Sequence, residues 1–249
     1  GASAGIGRAA ATALAAMGCD VTLLARREEA LREAALAMPR THEAQRIGFL
    51  AADVAAHDDL RSKVEALAAT QPAHILVNNS AGPPGGPAHA ASIDAYLSVF
   101  QQHLLGGQVL LQAVLPGMRA AKFGRIVNVI STSVKEPIAN LGVSNTIRGA
   151  VASWAKTLAS ELGADGITVN NVLPGYTRTQ RLEQILDERA AATGKPREDI
   201  AEGMLATVPA ARFAEPEEIA AAIAFLSSPG AGYINGINLP VDGGRTKSL

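Results

Sequence analysis

The chain has 249 residues, of which 48% are hydrophobic and 18% are charged, and its formal net charge at pH 7 is −1. This length suits one large α/β domain, and the balanced charge gives no electrostatic basis for binding nucleic acid or an anionic membrane surface. The single cysteine, Cys19, excludes an intrachain disulfide and a cysteine-rich metal site. With no apolar run near the roughly 18 residues of a membrane span and no signal-peptide pattern, the sequence predicts a cytoplasmic protein without bound metal.

Short apolar runs alternate along the chain with longer, alanine-rich segments. Strands are predicted at residues 20–25, 46–52, 74–79, 125–131, 167–173 and 236–241. Helices are predicted near residues 5–17, 27–38, 56–70, 92–118, 141–163 and 215–228. Several of these strands are apolar throughout, which is typical of parallel strands covered on both faces. The alternation therefore predicts a Rossmann-like, doubly wound parallel sheet in a single α/β domain that spans residues 1–249.

The motif GASAGIG, residues 1–7, opens the first predicted helix. Glycine permits a tight turn and a close approach of the backbone to a pyrophosphate, and the start of a helix presents free N–H groups to the phosphates. We therefore predict that Gly1, Ser3, Gly5, Ile6 and Gly7 bind a dinucleotide. The alternative is a turn in which the glycines serve only packing. Because a doubly wound sheet needs a strand that feeds this turn, a further strand is expected before Gly1.

The second motif lies at the end of the strand predicted at 20–25, where Arg26 and Arg27 follow and an acidic residue is absent. An acid at this place would accept hydrogen bonds from the adenosine ribose of NAD, whereas a base would bind the 2′-phosphate of NADP. The sequence therefore favours NADP(H) over NAD(H), with Arg26 as the main contact. The alternative is that both arginines belong to the solvated face of the next helix.

These features and several later motifs resemble the short-chain dehydrogenase/reductase family over essentially the whole chain. The later motifs are AADV (51–54), VNNSAG (77–82, with Ala81 in place of a glycine), LPGYTRT (173–179) and the segment 212–244. The subgroup most similar to the chain is 3-oxoacyl-(acyl-carrier-protein) reductase-like. The resemblance implies a nicotinamide cofactor, a small carbonyl-type substrate and a homotetramer or homodimer. It also implies cofactor contacts from Asp53, Val54, Asn79, Ala81, Pro174, Gly175, Thr177 and Thr179.

The same resemblance implies a catalytic set of asparagine, serine, tyrosine and lysine, and only the serine is present. Ser131 ends the strand predicted at 125–131, as the family pattern requires. The tyrosine position, 13 residues later, is Ser144, and the lysine position, four residues further on, is Arg148. The asparagine position is His103. The sequence therefore predicts an atypical active site that lacks the tyrosine and the lysine of the family.

These replacements change what the site can do. Ser144 and Arg148 would share one helix face, but a serine hydroxyl reaches about 4 Å less far than that of tyrosine, a gap that a water can bridge. Arg148 keeps its proton near neutral pH, yet it can hold a ribose diol or a substrate carboxylate. His103 is the first candidate proton donor, because histidine titrates near neutral pH, and Lys135 is the second.

The polar stretch 178–211 is predicted to form a helical, mobile lid beside the substrate. Tyr176 and the loop 83–86 are expected to shape the pocket, and Arg178 and Arg181 to face an acidic group or solvent. The leading hypothesis is an NADP-dependent oxidoreductase that transfers hydride to a carbonyl or related unsaturated group with altered proton-donor chemistry. The alternative is a non-catalytic NADP(H)-binding partner or sensor protein.

Overall fold

A computed structural model describes residues 1–248, in which parallel strands alternate with α-helices. The strands are β1 (Val21–Ala25), β2 (Ile47–Ala51), β3 (Ile75–Asn78), β4 (Gly124–Val129), β5 (Ile167–Pro174) and β6 (Asn238–Val241). The helices are α1 (Gly5–Ala16), α2 (Glu28–Leu36), α3 (His57–Thr70), α4 (Ile93–Phe100), α5 (Gly106–Ala121), α6 (Gly142–Leu162), α7 (Gln180–Thr193), α8 (Arg197–Leu205) and α9 (Pro216–Ser227). The predicted α/β fold is confirmed, and within residues 1–248 no helix is long and apolar enough to cross a membrane.

The helix predicted near 92–118 differs from the structure. It is divided into α4 and α5 by one turn of π-helix, Gln101–Leu105. At Gly106, directly after this turn, an added Cβ would lie 2.6 Å from the carbonyl oxygen of Val54. The glycine therefore allows α5 to approach the loop after β2 closely. Such π turns in α-helices often occur at functional sites, and His103 lies in the middle of this one.

The six strands of the described residues are all parallel and form two hydrogen-bonded groups, as expected for the α/β class. β1 pairs with β2, and β3, β4, β5 and β6 pair in that order. Between β1 and β3 lies a cavity of about 1020 Å³, whose lining includes Leu23, Val77, Leu14 and Leu110. Neighbouring strands of a sheet lie about 4.8 Å apart, so β1 and β3 are not hydrogen-bonded across this gap. The strand expected before Gly1 stays a prediction.

Helices cover both faces of the sheets. On one face, α1 packs on α9, β4 and β5 through Ala10, Ile219, Ile223 and Val127, and α2 packs on β1 beside it. On the other face, α3, α5 and α6 pack on the strands that bury Ile126. The carboxyl ends of the strands and the loops that follow them remain at one edge of this core. A doubly wound protein binds its ligand at such an edge.

A row of asparagine side chains crosses the four-stranded sheet. Nδ2 of Asn78 donates to Oδ1 of Asn128 (2.9 Å), Asn128 donates to Asn171 (2.9 Å), and Asn171 donates to Asn238 (2.8 Å). The four residues are register partners in adjacent strands. At the end of the row, Oδ1 of Asn78 is buried without a partner among the described residues, and Asn78 borders the cavity between the sheets.

Candidate active site

The glycine turn at residues 1–7 has no room for a side chain at its first and last glycines. An added Cβ would lie 2.5 Å from the carbonyl oxygen of Asn79 at Gly1, and 2.1 Å from that of Gly1 at Gly7. Gly5 has a φ of +54°, a conformation that glycine adopts without strain. Ala4 caps α1 without a side-chain hydrogen bond, so the first amides of this helix remain free for an anion.

The side chains of the predicted turn are placed differently. Ile6 is partly buried and packs against the apolar cluster between α1 and α9. Ser3 is half-buried in the turn. Nδ2 of Asn79 lies 3.4 Å from the carbonyl oxygen of Gly1, which joins the turn to the end of β3. The turn and the loop after β3 therefore form one structural unit.

Arg26 and Arg27 are both exposed directly after β1. The amide of Ala2 donates to the carbonyl oxygen of Leu24 in β1 at 3.1 Å, so the glycine turn adjoins the end of the strand that Arg26 follows. At the end of β2, Oδ1 of Asp53 accepts a hydrogen bond from the amide of Ala55 at 3.0 Å. The predicted contacts for the adenosine half of a cofactor thus lie at the carboxyl ends of neighbouring strands.

Ser131 and Ser144 both belong to the edge formed by the carboxyl ends of the strands. Ser131 begins the short helical turn Thr132–Val134 after β4, and its Oγ accepts a hydrogen bond from the amide of Ser133 at 3.1 Å. Ser144 is buried in the first turn of α6. Asn145 fixes this helix start, because its Nδ2 donates to the carbonyl oxygen of Ile138 at 2.8 Å.

Arg148 is a buried cation one turn further along α6. Its Nη1 donates to the carbonyl oxygen of Val129, at the end of β4, at 3.1 Å. An added Cβ at Gly82 would lie 3.7 Å from Nη2 of Arg148, so the guanidinium also lies beneath the loop after β3. Burial lowers the pKa of Arg148 to about 10, and the side chain therefore remains charged at neutral pH.

His103 lies beside Arg148 on the π-helical turn. Its Nε2 is 3.0 Å from the carbonyl oxygen of Ala81. Burial, followed by the charge of Arg148, lowers the pKa of His103 to about 4. The imidazole is therefore neutral at pH 7. This environment weakens the expectation that His103 donates the proton, which was based on an ordinary histidine pKa.

The segment after β5 joins the cofactor side of the site to the lid. Pro174 ends β5, and Oγ1 of Thr177 donates to the carbonyl oxygen of Gly175 at 3.1 Å. At Gly5 an added Cβ would lie 3.3 Å from Cγ2 of Thr179, so this segment reaches the glycine turn. The segment after β5 and the glycine turn therefore lie next to each other at the carboxyl ends of the strands.

The lid predicted at 178–211 consists of α7 and α8. Leu182, Leu186 and Met204 form its small core with Phe213, and Tyr176 packs against this core. Nη2 of Arg181 donates to the carbonyl oxygen of Pro83 at 3.0 Å, which connects the lid to the loop after β3.

Two residues that were not predicted also lie at this edge. The guanidinium of Arg245 lies 4.7 Å from the ring centre of Tyr176, and its Nη1 is 3.4 Å from Oγ1 of Thr132. A lone arginine near the end of a chain has no spacing that marks it as part of a site. Its position directly after the motif VDGG, at the carboxyl end of the last strand, is the one feature that points to this edge.

Comparisons with known proteins agree with this architecture. The family profile described as Enoyl-(Acyl carrier protein) reductase matches residues 1–246. The chain is 37% identical over 172 residues to the 3-oxoacyl-(acyl-carrier-protein) reductase FabG of Haemophilus influenzae, which covers 68% of this chain and 66%, just under two thirds, of that reductase. It is 32% identical over 248 residues to a 3-oxoacyl-(acyl-carrier-protein) reductase of Synechocystis, with coverage of 98% and 94%.

The L-sorbose reductase of Gluconobacter frateurii, solved in complex with NADPH and L-sorbose, has a TM-score of 0.91 and 30% identity to this chain. The match covers 100% of this chain and 95% of that one. NADPH, the cofactor in that structure, agrees with the cofactor that Arg26 and Arg27 predict. The match of the profile to almost the whole chain and the shared fold identify the chain as a member of the short-chain dehydrogenase/reductase family.

Proposed function

We propose that the chain is an NADPH-dependent reductase of carbonyl or related unsaturated groups. The observation that carries this proposal is that the glycine turn, Arg26, Ser131 and Arg148 each follow or contact the carboxyl end of a strand. Support comes from relatives named as 3-oxoacyl-(acyl-carrier-protein) reductases and from a structural neighbour named as an L-sorbose reductase. All three names describe the reduction of a carbonyl compound.

The residues present fit the cofactor. The free amides of α1 and the glycine turn suit a pyrophosphate, and Arg26 suits a 2′-phosphate. By the family pattern, Arg148 would donate to the ribose at the nicotinamide end, and residues 174–179 would border that end. The bond of Arg148 to Val129, at the end of β4, supports this assignment. When NADPH is bound, it supplies a hydride to the carbonyl carbon. The protein must then stabilise the developing negative charge on oxygen and deliver a proton to it.

The proton delivery differs from that of the family pattern, because the positions of the tyrosine and the lysine hold Ser144 and Arg148. Because its pKa is lowered to about 4, His103 is mostly neutral at pH 7 and has no proton to donate in that form. Arg148 remains charged and does not release its proton. Neither group therefore replaces the tyrosine directly. Lys135, in the turn after Ser131, is the second candidate donor and would act through water.

The proposed proton source is water held by the hydroxyl groups of Ser131 and Ser144. The shorter reach of Ser144 leaves room for a bridging water, and hydrogen bonds through water are nearly as favourable as direct ones. Arg148 contributes a fixed positive charge in a buried site, where charge stabilisation is stronger than in solvent. We assign Ser131 and Ser144 to positioning this water and Arg148 to electrostatic stabilisation.

The test is the oxidation of NADPH with ketones, oxoacyl thioesters and imines, for the natural chain and for Arg148→Ala and His103→Ala. We expect turnover on at least one class, a large loss for Arg148→Ala and a small one for His103→Ala. A solvent deuterium isotope effect on kcat should accompany proton delivery from water. Tight NADPH binding without turnover on any class would overturn the proposal and favour the non-catalytic partner or sensor.

We further propose that the chain acts as one domain over residues 1–249 and assembles as a homotetramer or homodimer. The support is apolar surface on two helices: Ile93 and Leu97 on α4 are 77% and 51% exposed, and Phe225 on α9 is 53% exposed. Exposed apolar patches of this kind often mark contacts between subunits. Light scattering after size-exclusion chromatography would test it, and a monomer at micromolar concentration would contradict it. A cytoplasmic location stays a prediction from the sequence.

A further inference from the structure

The segment after β6 folds back over the carboxyl ends of β4 and β5. The carboxylate of Asp242 accepts hydrogen bonds from the amide of Thr246 at 2.8 Å and from its hydroxyl at 2.6 Å. At Gly175, directly after β5, an added Cβ would lie 2.6 Å from Cα of Asp242. The carboxylate of Glu136, in the turn after β4, accepts the amides of residues 247 and 248 at 2.7 Å each. These bonds hold the tail against the catalytic edge.

Arg245 points inward from this tail. Its guanidinium lies over the ring of Tyr176, and its side-chain hydrogen bond among residues 1–248 is the long contact of 3.4 Å to Thr132. Its Nε is buried without a hydrogen-bond partner among these residues, and none of their ion pairs includes it. An arginine offers five N–H donors, so most of the donor capacity of Arg245 is unused.

The surroundings place Arg245 inside the proposed substrate region. Thr132 directly follows Ser131, and Tyr176 directly follows the Pro174–Gly175 turn at the end of β5. Tyr176 also contacts Phe213 edge to face, with ring centres 6.2 Å apart, and through it the core of the lid. Arg245 therefore lies between the turn that carries the serine, the segment at the nicotinamide end and the lid.

The other arginines at this edge already have partners. Arg178 forms an ion pair with Glu215 at 3.0 Å. Arg181 bonds to Glu188 and to the carbonyl oxygen of Pro83. These pairings weaken the earlier expectation that Arg178 or Arg181 recognises an acidic group. Arg148 donates to Val129, and of these four arginines only Arg245 has neither a carboxylate nor a carbonyl partner for its side chain.

We propose that Arg245 binds a carboxylate carried by the carbonyl substrate, so that the chain reduces oxoacids in preference to neutral ketones. This inference rests on the proposed reductase function and names the substrate class of the same site. Since Arg245 has no carboxylate partner among residues 1–248, its charge and its buried Nε are available to an anionic ligand. The planar guanidinium can offer two parallel N–H groups to a carboxylate, while Tyr176 fixes the plane of the fork.

The first experiment compares 2- and 3-oxoacids with their methyl esters in NADPH oxidation. For Arg245→Met we expect KM to rise about 10- to 100-fold for the acids and to change little for the esters, because a charged hydrogen bond is lost only with the acids. Arg245→Lys, which retains the charge, should recover part of the preference. Arg32→Met is the matched control, since Arg32 also stacks on an aromatic ring, Phe49, at 5.4 Å. If KM changed equally for the acids and the esters, or changed for neither, the proposal would be overturned.

The second experiment does not require turnover. Malonate is titrated into the NADPH-bound protein by calorimetry, with the natural chain and Arg245→Met. We expect binding by the natural chain and a loss of about 10-fold or more for the variant. Malonate binding without turnover would sustain the carboxylate site and overturn only the reductase function. Turnover of esters without malonate binding would overturn only the carboxylate site. The bonds of Asp242 and Glu136 to tail amides should keep the tail in place in both variants.

Discussion

The neutral imidazole of His103 lies beside the buried, charged guanidinium of Arg148, and the two are held together by the backbone around them. His103 is 3.0 Å from the carbonyl oxygen of Ala81 through Nε2, while Arg148 donates to Val129 at 3.1 Å. Because the Ala81 carbonyl can only accept, we assign the tautomer in which Nε2 carries the hydrogen. His103 thus connects the π-helical turn to the loop after β3, and its role is positional.

This arrangement predicts a pH dependence of stability. In the unfolded chain His103 takes up a proton near pH 6.5, whereas in the folded chain it does so only near pH 4. Between these values the unfolded state binds more protons, so the free energy of unfolding falls as the pH falls, by about 3 kcal/mol at most. Below pH 4 this contribution levels off, and above pH 7 it is fully retained.

Urea unfolding from pH 7.5 to pH 4 measures this effect in the natural chain and in His103→Gln. Glutamine can still donate to Ala81 but does not titrate. The variant should lose less stability than the natural chain over this interval. Parallel curves for the two proteins would show that His103 does not titrate as its surroundings require.

The reductase proposal predicts that activity rises when the tyrosine and the lysine of the family pattern are restored. In the double variant Ser144→Tyr, Arg148→Lys a phenol would again reach the substrate oxygen, and a lysine would stand one turn away on the same face of α6. General acid catalysis typically contributes about 10²- to 10⁴-fold, so we expect kcat to rise by about 10-fold or more. Steady-state NADPH oxidation measures it, with Ser144→Phe as the control that adds the ring without the hydroxyl. A rise in Ser144→Phe as large as that in the double variant would contradict the explanation.

Arg26 predicts the choice of cofactor. Its removal in Arg26→Ala should weaken NADPH binding by about 10- to 100-fold and leave NADH binding nearly unchanged, because only NADPH carries the 2′-phosphate. Fluorescence titration with both reduced cofactors measures the two affinities. Arg27→Ala should have a smaller effect, since Arg27 lies one residue further from β1, at the first position of the turn into α2. If the natural chain bound both cofactors equally, the assignment of Arg26 would be wrong.

Alanine substitutions at Gly7 and Gly203, which both lie in helices, compare a crowded position in the glycine turn with an open position on the lid. In Gly7→Ala the new Cβ would lie 2.1 Å from the carbonyl oxygen of Gly1, so α1 must move and NADPH binding should be lost. In Gly203→Ala on α8 no heavy atom lies within 4 Å of the new Cβ. That change should stabilise the chain by about 0.5–1 kcal/mol and leave NADPH affinity unaltered. Thermal melting with and without NADPH distinguishes them, and equal ligand-induced shifts would contradict the role of Gly7.

The sequence predicts the order and type of the elements because apolar runs and helical spacing are local properties. The strand pattern around Val127 and the glycine spacing at residues 1–7 carry that information directly. The π-helical turn around His103 could not be foreseen, because a single widened turn within a long helical segment has no residue signature of its own.

The sequence predicts candidate site residues where the chain resembles family motifs, and it does not predict Arg245, which lies outside these motifs. Ser131, Ser144 and Arg148 follow from spacing, but their burial and partners do not. Burial and the neighbouring Arg148 charge lower the pKa of His103, and these are properties of the packed chain that residue type alone cannot give. Arg245 has no motif of its own and acquires its neighbours only when the tail returns to β4 and β5.

The asparagine row across β3 to β6 has a consequence for how the chain folds. Each amide finds its neighbour only when all three strand pairs are aligned, and a shift by one position would turn an asparagine toward an apolar helix layer. Once the helices cover the sheet, a misaligned pairing would bury amides that cannot be satisfied. The row therefore favours the aligned pairing of β3 to β6, and it ends at Asn78, whose Oδ1 has no donor among the described residues.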